Sequence, residues 1–238
     1  MHFDKAFFIG LPNHTPKRIN RFYNRSKKEN LVVKLWPGIY GLDVDIKEYQ
    51  DKGYLTPNFT LHLPGSLGCL LSHVSLWDYV DQDPNCDIAL IFEDDILFKK
   101  NFLIKLNNIP WSDIPNDWDV IKLSCGKAEG EKISETILRP SFSTKKGTNS
   151  GMFCYLIKAS SASKLKNILL PYNNKNSMDV ILRQNFNKFN VYIVINRLVS
   201  VERYRHSIRK SLNFSVKKLN LLEKIYIKFS RLFLSNFQ

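Results

Sequence analysis

Apolar residues in this chain follow two spacings. Runs of four to seven consecutive apolar residues alternate with segments in which they recur every three or four positions, and that alternation predicts an α/β domain. Phe7-Phe8-Ile9 reads as the first strand, followed by the loop Pro12 to Pro16. Thr15 is placed to cap the next helix, with Pro16 at its first position. Leu31 to Leu35 reads as a second strand, and 38–63 as irregular, broken by Gly41, Gly53 and Pro57. Leu70, His73, Val74, Trp77 and Val80 share one face of a helix over about 67–80.

Ile88 to Phe92 is continuously apolar, the pattern of a strand buried on both faces, and it runs directly into Glu93-Asp94-Asp95. A helix near 99–107 and a strand over Trp118 to Leu123 follow. The polar stretch 126–150 predicts a mobile loop or a hairpin. Beyond it come a strand from Met152 to Ile157, helices over Ser160 to Leu170 and Met178 to Phe186, and a last buried strand from Val191 to Ile195.

Composition narrows the class. The chain has 238 residues, 44% hydrophobic and 13% aromatic, enough for a full core and unlike a disordered segment. Cys69, Cys86, Cys125 and Cys154 lie far apart and form no CxxC pair, so neither a zinc site nor a disulfide scaffold is expected. No apolar run reaches the length of a membrane span, and the N-terminus lacks a signal-peptide pattern. The expected setting is cytoplasmic. The net charge of +13 sits at the ends: residues 1–34 hold eight Lys/Arg against two acids, and 197–238 hold ten against two. Without a nucleic-acid reading motif, basic ends on a neutral body suit phosphate ligands or an anionic membrane surface, and no nucleic-acid partner is expected.

Three adjacent carboxylates at a strand end repel one another unless solvated, paired or bridged by a cation. A hard divalent ion, Mn²⁺ or Mg²⁺, favours such oxygens. Carboxyl ends of strands are also where open α/β sheets bind ligands. The plainer alternative is an acidic turn at the N-terminus of the helix near 99.

Leu67-Gly68-Cys69-Leu70-Leu71-Ser72-His73-Val74-Ser75-Leu76-Trp77, joined to Ile91-Phe92-Glu93-Asp94-Asp95 and Trp118-Asp119-Val120, closely resembles glycosyltransferase family 25. Phe7 to Ile9 with Lys17-Arg18, Gly151 to Ile157 with the helix after it, and Met178-Asp179 extend the likeness over about residues 5–210. Gly10 stands where the family commonly has Asn, and Lys17-Arg18 where it has Arg-Arg. The resemblance implies a GT-A-like fold, a UDP-sugar donor, a divalent metal, and inversion at the anomeric carbon, with galactose the commonest sugar.

On that footing Glu93, Asp94 and Asp95 would hold metal and donor. Ser72 and His73 would line the cleft, although a lone His on an apolar helix face also fits simple packing. An inverting transfer needs a carboxylate base away from the metal. Asp179 is the candidate and Asp119 the alternative. Lys17, Arg18 and Arg21 would reach donor phosphates or form a solvated basic face. His206 is a possible further metal ligand, crowded by Arg203, Arg205 and Arg209, which could instead close over the diphosphate.

At the C-terminus Leu222, Ile225, Tyr226, Phe229, Leu232 and Phe233 fall on one helical face, with Lys217, Lys224, Lys228 and Arg231 on another. This predicts a basic amphipathic helix lying on a membrane surface, or one packed on protein. The expectation is therefore a single GT-A-like α/β domain over 1–212 with a mixed, mainly parallel sheet, and an amphipathic helix over 213–238. It would work at the inner face of the membrane on a glycan or glycolipid acceptor such as a lipooligosaccharide. The rival enzyme class is a metal-dependent phosphohydrolase or nucleotidyltransferase. The non-catalytic rival is a membrane-associated scaffold.

Overall fold

The structure, a computed structural model, describes residues 2–142 and 147–202. His206, the arginines beside it and the C-terminal segment 213–238 lie outside the described residues.

Eight strands form one sheet: β1 (Lys5–Gly10), β2 (Lys34–Pro37), β3 (Ile88–Glu93), β5 (Val120–Lys122), β6 (Gly130–Lys132), β7 (Ile137–Pro140), β8 (Cys154–Lys158) and β9 (Val191–Val194), in the order β2-β1-β3-β8-β5-β9-β7-β6. The α/β class and the mixed sheet match expectation, but parallel pairing does not dominate. β8 enters antiparallel between β3 and β5, and β7 pairs antiparallel with β9 and β6. Among the described strands, only β1–β2, β1–β3 and β5–β9 pair in parallel. A second, two-stranded sheet joins β4 (Ile96–Phe98) to β10 (Val199–Val201).

Alternation along the strands feeds two apolar layers. Phe7, Ile91, Tyr155 and Val120 face one side, where α3 (Pro64–Gln82), α5 (Ala162–Leu169) and α6 (Met178–Gln184) pack. Phe8, Leu90, Phe92, Leu156 and Ile121 face the other, covered by α1 (Pro16–Lys28) and α4 (Phe102–Asn107). Both faces are covered, which is why β3 reads as one unbroken apolar run.

Boundaries moved where local chemistry was misread. The stretch 38–63 contains α2 (Ile46–Asp51), capped by Asp45, whose Oδ1 accepts the Glu48 N–H at 3.1 Å. β2 starts later than expected, at Lys34. The segment 126–150 contains the hairpin β6–β7. Thr15 does stand before Pro16, but its hydroxyl makes no cap; it lies 3.2 Å from both the Leu11 carbonyl and Asp94 Oδ2.

Gly68 and Gly41 explain how the cleft wall is made. A Cβ on Gly68 would come within 2.4 Å of the Ile39 carbonyl, and one on Gly41 within 1.8 Å of the Pro64 carbonyl. The 38–41 loop therefore lies directly on the first turns of α3. Ser72 locks it there, accepting the Ile39 N–H at 2.7 Å and donating to the Gly68 carbonyl at 2.6 Å.

Candidate active site

A cavity of about 370 Å³ opens at the carboxyl ends of β1 and β3. Its wall includes Gly10, Arg18, Tyr40, Cys69, Ser72 and His73, the acids Glu93, Asp94, Asp95 and Asp179, and Met152. Residues from opposite ends of the chain thus converge on one space. The acidic triplet does not cap a helix. It forms the corner between β3 and β4, and α4 begins only at Phe102, whose N–H is taken by Glu29 at 2.7 Å.

The three acids have different surroundings. Asp94 is 6% exposed; Arg18 donates to its Oδ1 and Thr15 approaches Oδ2. Burial raises the Asp94 pKa, opposed by the Arg18 charge. Asp95 lies 3.6 Å from Arg18 through Oδ2, while its Oδ1 is buried with no hydrogen-bond partner among the described residues. Burial first, then the Glu93 charge, pushes Asp95 up to about 7. Glu93 is the most open, its side chain 34% exposed. Among the described residues one guanidinium therefore serves Asp94 chiefly, leaving Asp95 and Glu93 electrostatically short of positive charge.

His73 is 1% exposed, yet it is not an inert core residue. Its Nδ1 lies 2.7 Å from the Tyr155 hydroxyl, which also accepts the Trp77 indole N–H at 2.9 Å. Among the described residues its Nε2 has no hydrogen-bond partner, and it lies 3.8 Å from Glu93 Oε1. Asp179, in the first turn of α6, accepts from the Ser177 hydroxyl at 2.6 Å and, more distantly, from the Gly151 N–H at 3.4 Å.

Three expected residues lie elsewhere. Asp119 sits at the opposite end of the sheet from the triplet, at the start of β5. It accepts from Ser161 and the Asn190 N–H, both at 2.7 Å, and pairs with Lys164 at 2.7 and 2.8 Å. Burial opposes its ionisation, but these donors outweigh it and lower its pKa. Asp119 is an internal anchor that does not line the cleft. Lys17 is exposed and also outside the cavity, and Arg21 lies 3.6 Å from Glu202.

Two residues were missed. Tyr155 meets α3 because the register Tyr155↔Ile91 turns its ring to that face. Lys122, beside it in register, is 2% exposed with Nζ 2.7 Å from the Asn149 carbonyl. Burial pushes Lys122 down to about 8, with Asp179 among the charges that partly offset this. A Lys within the apolar run Val120-Ile121-Lys122-Leu123 was the available signal.

The family described as "Glycosyltransferase family 25 (LPS biosynthesis protein)" matches residues 4–182, three quarters of the chain. The chain belongs to glycosyltransferase family 25. The Gly68–Trp77 helix, the triplet and Asp179 all fall within the matched span. Procollagen galactosyltransferase 1-A of Xenopus laevis is 26% identical over 148 residues, covering 58% of this chain and 24% of that protein. Human procollagen galactosyltransferase 2 is 29% identical over 132 residues, 51% of this chain and 20% of its own length. A third relative, the human "inactive glycosyltransferase 25 family member 3", is 34% identical over 112 residues, 46% of this chain and 16% of that protein. The chain spans about a quarter or less of the curated relatives it matches. A Drosophila galactosyltransferase 7 solved with manganese, UDP-Gal and xylobiose aligns over 84% of this chain and 71% of its own, at 10% identity and a TM-score of 0.43, too remote to inform the site.

Proposed function

We propose that this family 25 protein is an inverting, divalent-metal-dependent transferase with a GT-A-like domain, moving a hexose, galactose first, from a UDP-sugar to a glycan acceptor. The observation that carries this reading is the pairing of unlike carboxylates in one cavity. Asp95, with a buried orphan oxygen, and the open Glu93 stand at the strand ends, and Asp179 stands on a separate helix.

The residues fit a hard cation. Asp95 Oδ1 is a buried acceptor without a donor among the described residues, and burial with Glu93 makes its ionised form costly in the absence of positive charge. Glu93 and Asp95 would hold the ion, while Asp94, already engaged by Arg18 and Thr15, would brace the corner. A bound Mn²⁺ or Mg²⁺ would supply charge neutralisation for the donor diphosphate as the nucleotide leaves.

The remaining work belongs to the chain. Asp179 takes the proton from the acceptor hydroxyl, on a different element from the metal-holding acids, as in-line inversion requires. Its Oδ1 is fixed by Ser177, leaving Oδ2, only loosely held by Gly151, to receive the proton. The 38–41 loop, pinned by Ser72, forms the wall on which the nucleotide would lie.

The family description names LPS biosynthesis, and the relatives carry galactosyltransferase names. The relatives' names support a galactosyl donor and the family description a lipooligosaccharide or related glycolipid acceptor, which the basic ends of the chain would meet at the cytoplasmic face of a membrane. A relative named inactive makes a direct test necessary. Thermal shift against a panel of UDP-sugars with and without Mn²⁺ provides one. Stabilisation by UDP-galactose that requires the metal is expected, because a ligand binding only the folded state must raise the midpoint. No shift with any UDP-sugar, metal present, would contradict the reading.

A further inference from the structure

Cys69 Sγ, His73 Nε2 and a Glu93 carboxylate oxygen all lie within 4.8 Å of one another on the cleft wall. We infer that these three residues form a binding site for a thiophilic divalent cation of the Zn²⁺ class, distinct in chemistry from the hard-ion site of Glu93 and Asp95. The inference does not rest on the proposed transfer activity.

Cys69 and His73 are four residues apart on α3, so both side chains leave the helix on one face. Glu93 arrives from the end of β3 across the cleft. A tetrahedral Zn²⁺ at its usual bond lengths sets its ligand atoms roughly 3.3–3.6 Å apart. His73 Nε2 and Glu93 Oε1 are already at 3.8 Å, and the 4.8 Å outer limit is within reach of small side-chain rotations. Sulfur and imidazole together select Zn²⁺ over Mg²⁺ or Mn²⁺, which prefer oxygen.

The independent observation is His73 Nε2 itself, on a side chain 1% exposed, aimed at Glu93 and with no hydrogen-bond partner among the described residues. Its other nitrogen is oriented as in metal-bound histidines, which hold their second N–H on a fixed acceptor. The Tyr155 hydroxyl, 2.7 Å from Nδ1 and already accepting the Trp77 indole N–H, has a second lone pair that would take the Nδ1–H when a metal is bound. That arrangement turns the Nε2 lone pair toward the cleft. The opposite arrangement, with Tyr155 donating to Nδ1, puts a proton on Nε2 and excludes a metal, so the two are separable. Binding would expel the Cys69 thiol proton and leave a fourth position open to the cavity. It would also draw Glu93 toward α3, so Zn²⁺ would compete with any ion that relies on Glu93.

The test uses the full chain stripped with a chelator, titrated with Zn²⁺ against a chromophoric competitor, and separately with Co²⁺ followed in the near ultraviolet. One Zn²⁺ per chain is expected, bound at least ten-fold more tightly than Mn²⁺, with a thiolate–Co²⁺ charge-transfer band. Cys69→Ser should abolish that band and weaken Zn²⁺ about ten-fold or more, His73→Gln should weaken it similarly, and Tyr155→Phe to a smaller extent. Near-ultraviolet circular dichroism would establish that each variant is folded; should His73→Gln fail to fold, Cys69→Ser alone decides. Absence of stoichiometric Zn²⁺ binding, or the same affinity and band in Cys69→Ser, would overturn the assignment. Loss of UDP-galactose transfer with Zn²⁺ binding intact would count against the proposed function and leave this site standing.

Discussion

Arg18, in the first turn of α1, donates to the carboxylate of Asp94, 76 residues further along the chain. The pair divides the labour within the triplet. With Thr15 at its other oxygen, Asp94 is satisfied by protein, and the uncompensated charge falls on Asp95 and Glu93. Arg18 was expected to meet donor phosphates, yet its partners at the corner are carboxylates.

Removing one member of a buried ion pair strands the other, which costs about 3–5 kcal/mol. Arg18→Met should therefore destabilise the fold by roughly 3 kcal/mol, read by urea denaturation. Adding Asp94→Asn should recover part of the loss. Independent, additive losses in the double variant would show that the two side chains do not act as a pair.

Asp119 is predicted to matter for stability and not for turnover. Asp119→Ala removes the acceptor of Ser161, Lys164 and the Asn190 N–H, a loss of about 3 kcal/mol for a hydrogen-bonded buried carboxylate. The midpoint of thermal unfolding should drop by several degrees, while transfer measured well below that midpoint should persist. Its lowered pKa means its stabilising contribution is present above the ordinary carboxylate range and lost as pH falls through the folded value.

Asp179→Asn should separate binding from chemistry. UDP-sugar affinity is expected to change little, and transfer to fall about 100-fold or more, the scale of a lost general base. Transfer at the wild-type rate would place the base elsewhere.

Lys122 predicts a pH signature. Its folded pKa, about 8, lies below the ordinary 10.5, so between those values the unfolded chain binds more protons and stability rises with pH. The contribution is complete above about 10.5 and is lost as pH falls through 8. Comparing wild type with Lys122→Met, the difference in unfolding free energy should change by about 3 kcal/mol between pH 7 and 10.5. A difference constant across that range would mean Lys122 is not buried as described.

What was legible in the sequence follows from how local its cause is. Glu93-Asp94-Asp95 stood out because an apolar run cannot end in three carboxylates without a reason, and the Gly68–Trp77 helix because its glycine and apolar spacing are both local. The Tyr155–His73 contact depends on the antiparallel register of β8 against β3, which no local pattern contains. Asp119 looked like a site residue because its four hydrogen bonds come from Ser161, Lys164 and Asn190, far along the chain. Antiparallel β8 likewise defeated the expectation of a mainly parallel sheet: an apolar strand buried on both faces reads the same in either direction.

The central claim is that Asp95, more than Asp94, holds the metal at a UDP-sugar site. The most direct measurement is Mn²⁺-dependent release of UDP from UDP-galactose, with a glycolipid acceptor, in wild type, Asp95→Asn and Asp94→Asn. Wild type should turn over only with the metal. Asp95→Asn should lose turnover at every Mn²⁺ concentration while remaining folded, and Asp94→Asn should keep a measurable fraction. Metal-independent release by the wild type, or unchanged release by Asp95→Asn, would contradict the account.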